Sequence, residues 1–387
     1  MTQADKLQVL WIDDKYREMS SLIDYFDVNG IELHPFDNKD SAIAEFRKDP
    51  ESWDAAILDI IGIDAEHIED GSGMYEAKDD LRDIRKIPTF FFSGQDHIKE
   101  DKGYLMSLKK IYVKPDEEDE LIHDIKEAAG KLKERKIKSL YPEVFNSIEY
   151  LGQFWKKKDD VYEVMMNSLK WLHFQEFRTS SYENNILNQM RSIADSIFTA
   201  FYHAGLLPED LQDQYGQMAF DDCCTFLFGE VARKTYFDKN GPILNPIWKS
   251  HVLDIKFAGN SGSHGEKPDL SKNREMEKAV KDYRSVSDKG LKSIVILMTC
   301  DLLIFAASYI NEHPDKKDNM SRVVTAGRDT VTVEKDEEGN LHGGICLLAG
   351  PGLFPGRKVI INEFTCNMDR KCNQNYPLYG KSFTIVE

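Results

Sequence analysis

The chain has 387 residues, of which 41% are hydrophobic and 11% aromatic, and its formal net charge is −17. This length predicts two or three domains, and this composition excludes an intrinsically disordered chain. The acidity opposes a uniformly cationic surface, so DNA binding is not expected.

The charge is distributed unevenly along the chain. Residues 1–138 carry 21 Lys or Arg against 33 Asp or Glu, residues 139–312 carry 19 against 24, and residues 313–387 carry 10 of each. The hydrophobic pattern also changes at these two points, so we place the predicted domain boundaries there. Most of the acidity therefore belongs to the first predicted domain.

Residues 1–138 show an alternating β/α pattern. The segments between the predicted strands have helical spacing of apolar residues, as at Met19, Leu22, Ile23 and Phe26. Five short runs rich in β-branched and aromatic residues predict strands at 7–12, 31–36, 55–58, 87–92 and 111–113. Strand then helix, repeated along the chain, predicts a doubly wound parallel sheet with helices on both faces.

Polar residues directly follow four of these strands. The first strand is followed by Asp13 and Asp14, the third by Asp59, the fourth by Ser93 and the fifth by Lys114. Because the carboxyl ends of parallel strands meet at one edge, we expect these groups to lie together. Three adjacent carboxylates repel one another unless a cation binds, and hard oxygen ligands favour Mg²⁺. A carboxylate so held can accept a phosphoryl group, with the ammonium and the hydroxyl binding the product oxygens.

This pattern resembles the receiver domain of two-component response regulators, over residues 6–136. The resemblance implies a flavodoxin-like fold, Asp59 as the phosphoacceptor, and Asp13 and Asp14 as the acidic pair that binds Mg²⁺ with it. It also implies that Ser93 is the switch hydroxyl and that Lys114 precedes a cis proline. The implied phosphodonor is a sensor histidine kinase or phosphotransfer protein, in a phosphorelay, or a small acyl phosphate.

Two positions differ from the receiver pattern. Three residues before Lys114, where receivers have a switch aromatic, this chain has Ile111; Tyr112 follows and should point to the other sheet face. Two residues after Asp59 stands Ile61, where many receivers are polar. Its bulk should hinder an attacking water, which predicts slow loss of the phosphoryl group.

Residues 139–312 predict an α-helical bundle, because apolar residues recur at helical spacing and prolines fall between the segments. The apolar segment 293–310 approaches the length of a membrane span but carries Asp301 in its middle, which predicts a buried helix. The polar start of the chain does not resemble a signal peptide, so the six cysteines are expected to be reduced thiols in a cytoplasm.

The segment KFAGNSGSHG, residues 256–265, is the most distinctive part of the helical region. Its small and polar residues predict an interhelical loop with a capping histidine. Gly259, Asn260 and His264 also resemble a short motif of HEPN-type helical domains, whose active members cleave RNA with an arginine and a histidine. Here Gly259 occupies the arginine position and Lys256 is the nearest cation. A site of Lys256, Asn260 and His264 is therefore speculative, and RNA cleavage is not favoured.

Residues 313–387 alternate apolar and polar residues, with turn signals at 336–340 and 350–356, which predicts a small antiparallel β-barrel or sandwich. A zinc site would use His342, Cys346, Cys366 and Cys372. Neither pair has the short spacing of a zinc knuckle, so buried thiols are the preferred interpretation.

These features predict a cytoplasmic response regulator in which phosphorylation of Asp59 controls a helical and β output through protein–protein interaction. The sequence leaves open the cognate kinase, the output partner and a homodimer. Two other functions stay as alternatives: an RNA-cleaving effector switched by the receiver, and a scaffold in which the receiver is only a docking surface.

Overall fold

The computed structural model describes residues 6–59, 72–94, 110–155, 158–174, 180–212, 217–233, 235–263, 274–366, 376 and 378–386. The chain divides into two compact units. The first comprises Met1–Leu140 with His173–Phe177, and the second comprises Tyr141–Leu172 with Arg178–Glu387. The helical and β regions, predicted at 139–312 and 313–387, both fall almost wholly in the second unit.

The first unit contains a five-stranded parallel sheet. Its strands are β1 (Leu7–Ile12), β2 (Ile31–Phe36), β3 (Ala55–Leu58), β4 (Thr89–Ser93) and β5 (Ile111–Val113). They lie in the order β2-β1-β3-β4-β5, and every neighbouring pair is parallel. This is the flavodoxin-like strand order, so the predicted doubly wound sheet is confirmed.

Helices and buried clusters cover both faces of this sheet. The helices are α1 (Ser20–Val28), α2 (Lys39–Lys48), α3 (Ser72–Ile84) and α4 (Glu118–Leu140). One apolar cluster contains residues of α2 and α3, and the other contains residues of α1 and α4. Ile111 packs against the first cluster and Tyr112 lies in the second, which confirms the prediction that the two point to opposite faces.

Seven helices are described in the second unit. They are α5 (Pro142–Leu151), α6 (Lys158–Phe174, which crosses the division between the units), α7 (Ser180–His203), α8 (Phe220–Leu227), α9 (Pro246–Ser263), α10 (Arg274–Glu312) and α11 (Lys316–Arg322). The backbone of α10 is non-helical at Ser287, which marks a kink. The predicted helical region is thus present.

The prediction of a loop at residues 256–265 is wrong over 256–263, the part that the structure describes, because α9 continues to Ser263. Glycine, asparagine and serine have low helix propensity, which is why the pattern indicated a break. The tertiary packing explains Gly259: a Cβ there would lie 2.7 Å from the Cβ of Arg191 on α7. The close approach of α7 and α9 therefore requires glycine at a position that local propensity assigns to a loop.

Helix α10 is long and apolar enough to cross a membrane by length and composition alone. Half of its most apolar stretch is buried inside the structure. The core helix of a globular protein has the same property, so this feature is only weak evidence for a membrane span.

The β region forms a curled six-stranded sheet beside a two-stranded ribbon. The ribbon pairs β6 (Tyr236–Asp238) with β7 (Val323–Thr325), and the sheet contains β8 (Thr330–Thr332), β9 (Glu334–Lys335), β10 (Leu341–Gly343), β11 (Cys346–Leu347), β12 (Lys358–Cys366) and β13 (Leu378–Val386). The sheet order is β8-β12-β13-β11-β10-β9. Because only Val333 separates β8 from β9, one bent stretch of chain forms both edges and the sheet curls towards a barrel.

The prediction that all these strands are antiparallel is wrong at one pair, because β11 and β13 are parallel. The intervening strand β12 runs antiparallel to β13, so the chain reverses and then returns in the direction of β11. Alternation of side chains predicts strands but carries no information on which strands become neighbours.

A buried ion pair joins the ribbon to the helices of the second unit. Arg322, at the end of α11, places Nη2 2.7 Å from Oδ2 of Asp238 and Nε 3.3 Å from Oδ1. Its Nη1 donates to the hydroxyl of Tyr309 on α10 at 2.8 Å. One guanidinium therefore holds α10, α11 and β6 together, which helps to explain why the helical and β regions form one unit.

Candidate functional site

The sheet brings the predicted polar residues to one edge. Ile12 pairs with Leu58 across β1 and β3, so Asp13 and Asp59 are the next residues of adjacent strands. The amide of Asp59 donates to the carbonyl of Ile12 at 2.9 Å, which fixes the end of β3.

The other side of the edge is built in the same way. Ser93 pairs with Val113 across β4 and β5, and the amide of Lys114 donates to the carbonyl of Ser93 at 2.8 Å. Ser93 is buried. The Lys114–Pro115 peptide is cis, as the receiver resemblance implies.

Three carboxylates and one ammonium meet at this edge. Oxygen atoms of Asp13, Asp14 and Asp59 lie within 4.8 Å of one another. The Nζ of Lys114 forms a short ion pair with Oδ2 of Asp13 and lies 3.5 Å from Oδ1 of Asp59. These four side chains carry a formal charge of −2, so the cluster attracts a further cation.

Burial makes this unbalanced charge significant. Asp13 is fully buried, and the side chains of Asp59 and Lys114 are only 12% and 10% exposed. The other oxygen of Asp13 accepts a hydrogen bond from the amide of Lys15 at 2.9 Å. The Oδ1 atom of Asp14 is buried and has no hydrogen-bond partner among the described residues.

The orphaned oxygen of Asp14 tests whether Mg²⁺ fits this site. A buried carboxylate oxygen without a partner carries a desolvation penalty that a bound cation removes. Oxygen ligands from several carboxylates are the donor set that Mg²⁺ accepts, with waters completing the octahedron. Asp13, Asp14 and Asp59 are therefore suitable ligands for this ion.

Two aromatic rings lie beside the ammonium of Lys114. Its Nζ is 5.1 Å from the ring centroid of Phe92 and 5.9 Å from that of Trp11. Both rings are buried, so they form an apolar wall behind the lysine. Sequence reasoning did not identify this wall, because Trp11 and Phe92 are typical of ordinary strand cores.

Tyr112 is fixed away from this site. Its hydroxyl donates to Asp124 on α4, and Nζ of Lys110 lies 3.1 Å from the same carboxylate and 4.4 Å from the tyrosine ring centroid. Burial raises the pKa of Tyr112, and the hydrogen bond from this tyrosine lowers the pKa of Asp124. The aromatic next to Ile111 thus connects β5 to α4.

Lys256 and Asn260, two of the three residues of the HEPN-like motif site, lie on α9 and not in a loop. Lys256 is buried and pairs closely with Asp221 near the start of α8. Asn260 lies on α9 and accepts a close hydrogen bond from Nη1 of Arg191 on α7. His264 lies outside the described residues. Arg191 is the cation that sequence reasoning missed, because it lies 69 positions from Asn260.

Asp195, one turn after Arg191 on α7, is expected to make stability depend on pH. Burial raises its pKa to about 6, an effect that the charge of Arg191 opposes. The folded state therefore holds this proton more tightly than the unfolded state, and stability falls as pH rises from about 4 to about 6. This fall in the free energy of unfolding amounts to up to about 3 kcal/mol, and Asp195→Asn should abolish it.

Urea unfolding of the wild type and Asp195→Asn between pH 4 and pH 7 measures this effect. The matched control is Asp282→Asn, which removes the same charge at an exposed position of α10. Parallel pH profiles for the wild type and Asp195→Asn would contradict the prediction.

The residues of the less favoured zinc site are only partly described. Cys346 is buried on β11, and burial raises its pKa to about 12, which favours the neutral thiol. Nδ1 of His342 lies 2.9 Å from the carbonyl oxygen of Gly344. Cys372 and the side chain of Cys366 lie outside the described part of the chain, as does Ile61.

A solved structure is similar to part of this chain. It is the crystal structure of a response regulator receiver domain protein from Clostridium thermocellum, similar at 16% sequence identity with a TM-score of 0.27. The match covers 33% of this chain and 97% of that chain. No protein-family model matches this chain, and no curated protein matches it. These comparisons give no support to the HEPN resemblance of the helical region.

Proposed function

We propose that the first unit is a phosphoryl-accepting receiver and that the whole chain is a response regulator. The observation that carries this proposal is the clustering of Asp13, Asp14 and Asp59 around the ammonium of Lys114 at the carboxyl edge of the sheet. In this proposal Asp59 is the nucleophile. The second unit is the output, acting through protein–protein contacts in the cytoplasm.

The residues have distinct parts in this reaction. Asp13, Asp14 and Asp59 would hold Mg²⁺, which supplies charge neutralisation for the phosphoryl oxygens. A carboxylate oxygen of Asp59 forms a bond to phosphorus while the bond from phosphorus to the donor breaks, and the electron pair of that bond stays with the donor. Lys114, whose Nζ lies 3.5 Å from Oδ1 of Asp59, and Ser93, at the carboxyl end of β4, would bind oxygens of the aspartyl phosphate.

The donor in this proposal is a phosphohistidine of a sensor kinase or phosphotransfer protein, or a small acyl phosphate. Lys114 already pairs with Asp59 in the structure. A new anionic group on Asp59 would therefore draw this lysine towards it and away from Asp13. Lys114 directly follows β5, and the hydrogen bond of Tyr112 connects β5 to α4. A shift of Lys114 would therefore be transmitted to α4, whose last residue, Leu140, precedes the second unit in the chain.

Labelling by acetyl phosphate tests the proposal. The wild type should gain the mass of one phosphoryl group in the presence of Mg²⁺, and chelation with EDTA should prevent it. Asp59→Asn should abolish the labelling, because an amide is not a nucleophile towards phosphorus. Asp24→Asn, at an exposed position of α1, should be labelled like the wild type. Equal labelling of Asp59→Asn and the wild type would contradict the proposal.

A further inference from the structure

A groove of about 790 Å³ lies in the second unit, apart from the carboxylate cluster. Its walls come from the β6–β7 ribbon, the end of α11, the segment after α7, and β8. Its volume is within the range of about 300–1,000 Å³ that is typical of ligand-binding clefts.

One wall of this groove is the free edge of a strand. β8 pairs with β12 on one side, through Thr330, Val331 and Thr332. The amide of Val333 donates to the carbonyl of Arg357 in this ladder at 2.7 Å. Antiparallel ladders alternate, so Val331 also faces β12, and the amides and carbonyls of Thr330 and Thr332 point outward.

These outward backbone groups are available for pairing. Among the described strands, β8 is hydrogen-bonded to β12 alone, and no described backbone hydrogen bond outside the sheet ladder involves Thr330 or Thr332. Both residues are exposed, whereas Val331 between them is buried. The edge thus presents the alternating donors and acceptors that an added strand requires.

The charged groups that line the groove favour a basic occupant. Arg328 and Asp329 form a pair at 2.9 Å and neutralise each other. Among the other described residues of the lining, Glu209, Asp210 and Glu334 are acidic and Lys239 is the one that is basic. The hydroxyl of Tyr236 holds the carboxylate of Asp210 at the groove wall. The lining therefore carries a formal charge of −2 after internal pairing.

We propose that this groove binds an extended basic peptide segment, which adds to β8 as a further strand. The backbone of the segment pairs with Thr330 and Thr332, and its Lys or Arg side chains contact Glu209, Asp210 and Glu334. This site does not depend on phosphorylation of Asp59.

Fluorescence anisotropy with two labelled peptides, of sequence Lys-Val-Lys-Val-Lys-Val and Glu-Val-Glu-Val-Glu-Val, tests the site on the full chain. The lysine peptide should bind saturably and the glutamate peptide should not. Thr332→Pro removes an outward amide and blocks the edge, so it should weaken binding about tenfold or more. Thr332→Val keeps the backbone and should bind like the wild type.

Two further measurements separate strand addition from general attraction to an acidic protein. The lysine peptide should slow hydrogen exchange of the amides at 330–332, and Glu334→Lys should weaken its binding whether or not Thr332→Pro folds. Unchanged exchange at 330–332, or equal binding by Thr332→Pro and the wild type, would overturn the proposal. Binding of the glutamate peptide as tightly as the lysine peptide would overturn the basic preference.

Discussion

Arg322→Met is expected to destabilise the protein by about 3–5 kcal/mol. The substitution leaves the carboxylate of Asp238, which is 1% exposed, without its cation in the interior. It also removes the hydrogen bond to Tyr309, which links the ribbon to α10. Urea unfolding followed by far-UV circular dichroism measures the loss, which should belong to the second unit.

Two variants show whether the uncompensated charge causes the loss. Arg322→Met combined with Asp238→Leu removes both charges and should recover much of the stability, since apolar replacements of buried pairs are often neutral or better. Lys249→Met breaks an ion pair to Glu230 at 2.8 Å that is about two-fifths exposed. Lys249→Met should therefore lower the free energy of unfolding by less than about 1 kcal/mol. Equal effects of Arg322→Met and Lys249→Met would show that the buried pair has no special importance.

Lys114→Met is expected to destabilise the first unit by about 3–5 kcal/mol in the absence of divalent cations, because Asp13 is then buried without its ion pair. Mg²⁺ should restore much of this loss in the variant. An ion that binds only the folded state adds about 2.7 kcal/mol at a hundredfold excess over its dissociation constant. Thermal unfolding with and without MgCl₂ measures both effects.

The matched control is Lys39→Met, which breaks a pair with Glu76 at 2.7 Å in the same unit. Glu76 is largely exposed, so this variant should be nearly as stable as the wild type and should show the wild-type response to Mg²⁺. The Mg²⁺ proposal fails if neither the wild type nor Lys114→Met is stabilised by the ion.

The carboxylate cluster could be predicted from the sequence because a general rule of parallel sheets places strand ends together. Asp13 and Asp59 needed only the positions of their strands to be assigned as neighbours. The orphaned oxygen of Asp14 and the rings of Trp11 and Phe92 behind Lys114 depend on side-chain packing, which strand positions do not specify.

Local sequence patterns predicted the structure of the second unit less well than that of the first. Gly259 and its neighbours indicated a loop, but the packing of α7 against α9 makes the segment helical up to Ser263. Side-chain alternation indicated the β region, but the parallel pairing of β11 with β13 depends on the order in which strands meet.

The amino-acid sequence was enough to predict the strand-and-helix alternation of the first unit, the residues at its strand ends and the excess of acidic charge. These follow from local periodicity, which each segment carries alone. The contacts of Arg191 with Asn260 and of Arg322 with Asp238 could not be predicted in this way, because the two partners are 69 and 84 positions apart in the chain. The free edge of β8 beside an acidic groove is likewise a product of packing, because strand pairing and groove shape arise when distant segments meet.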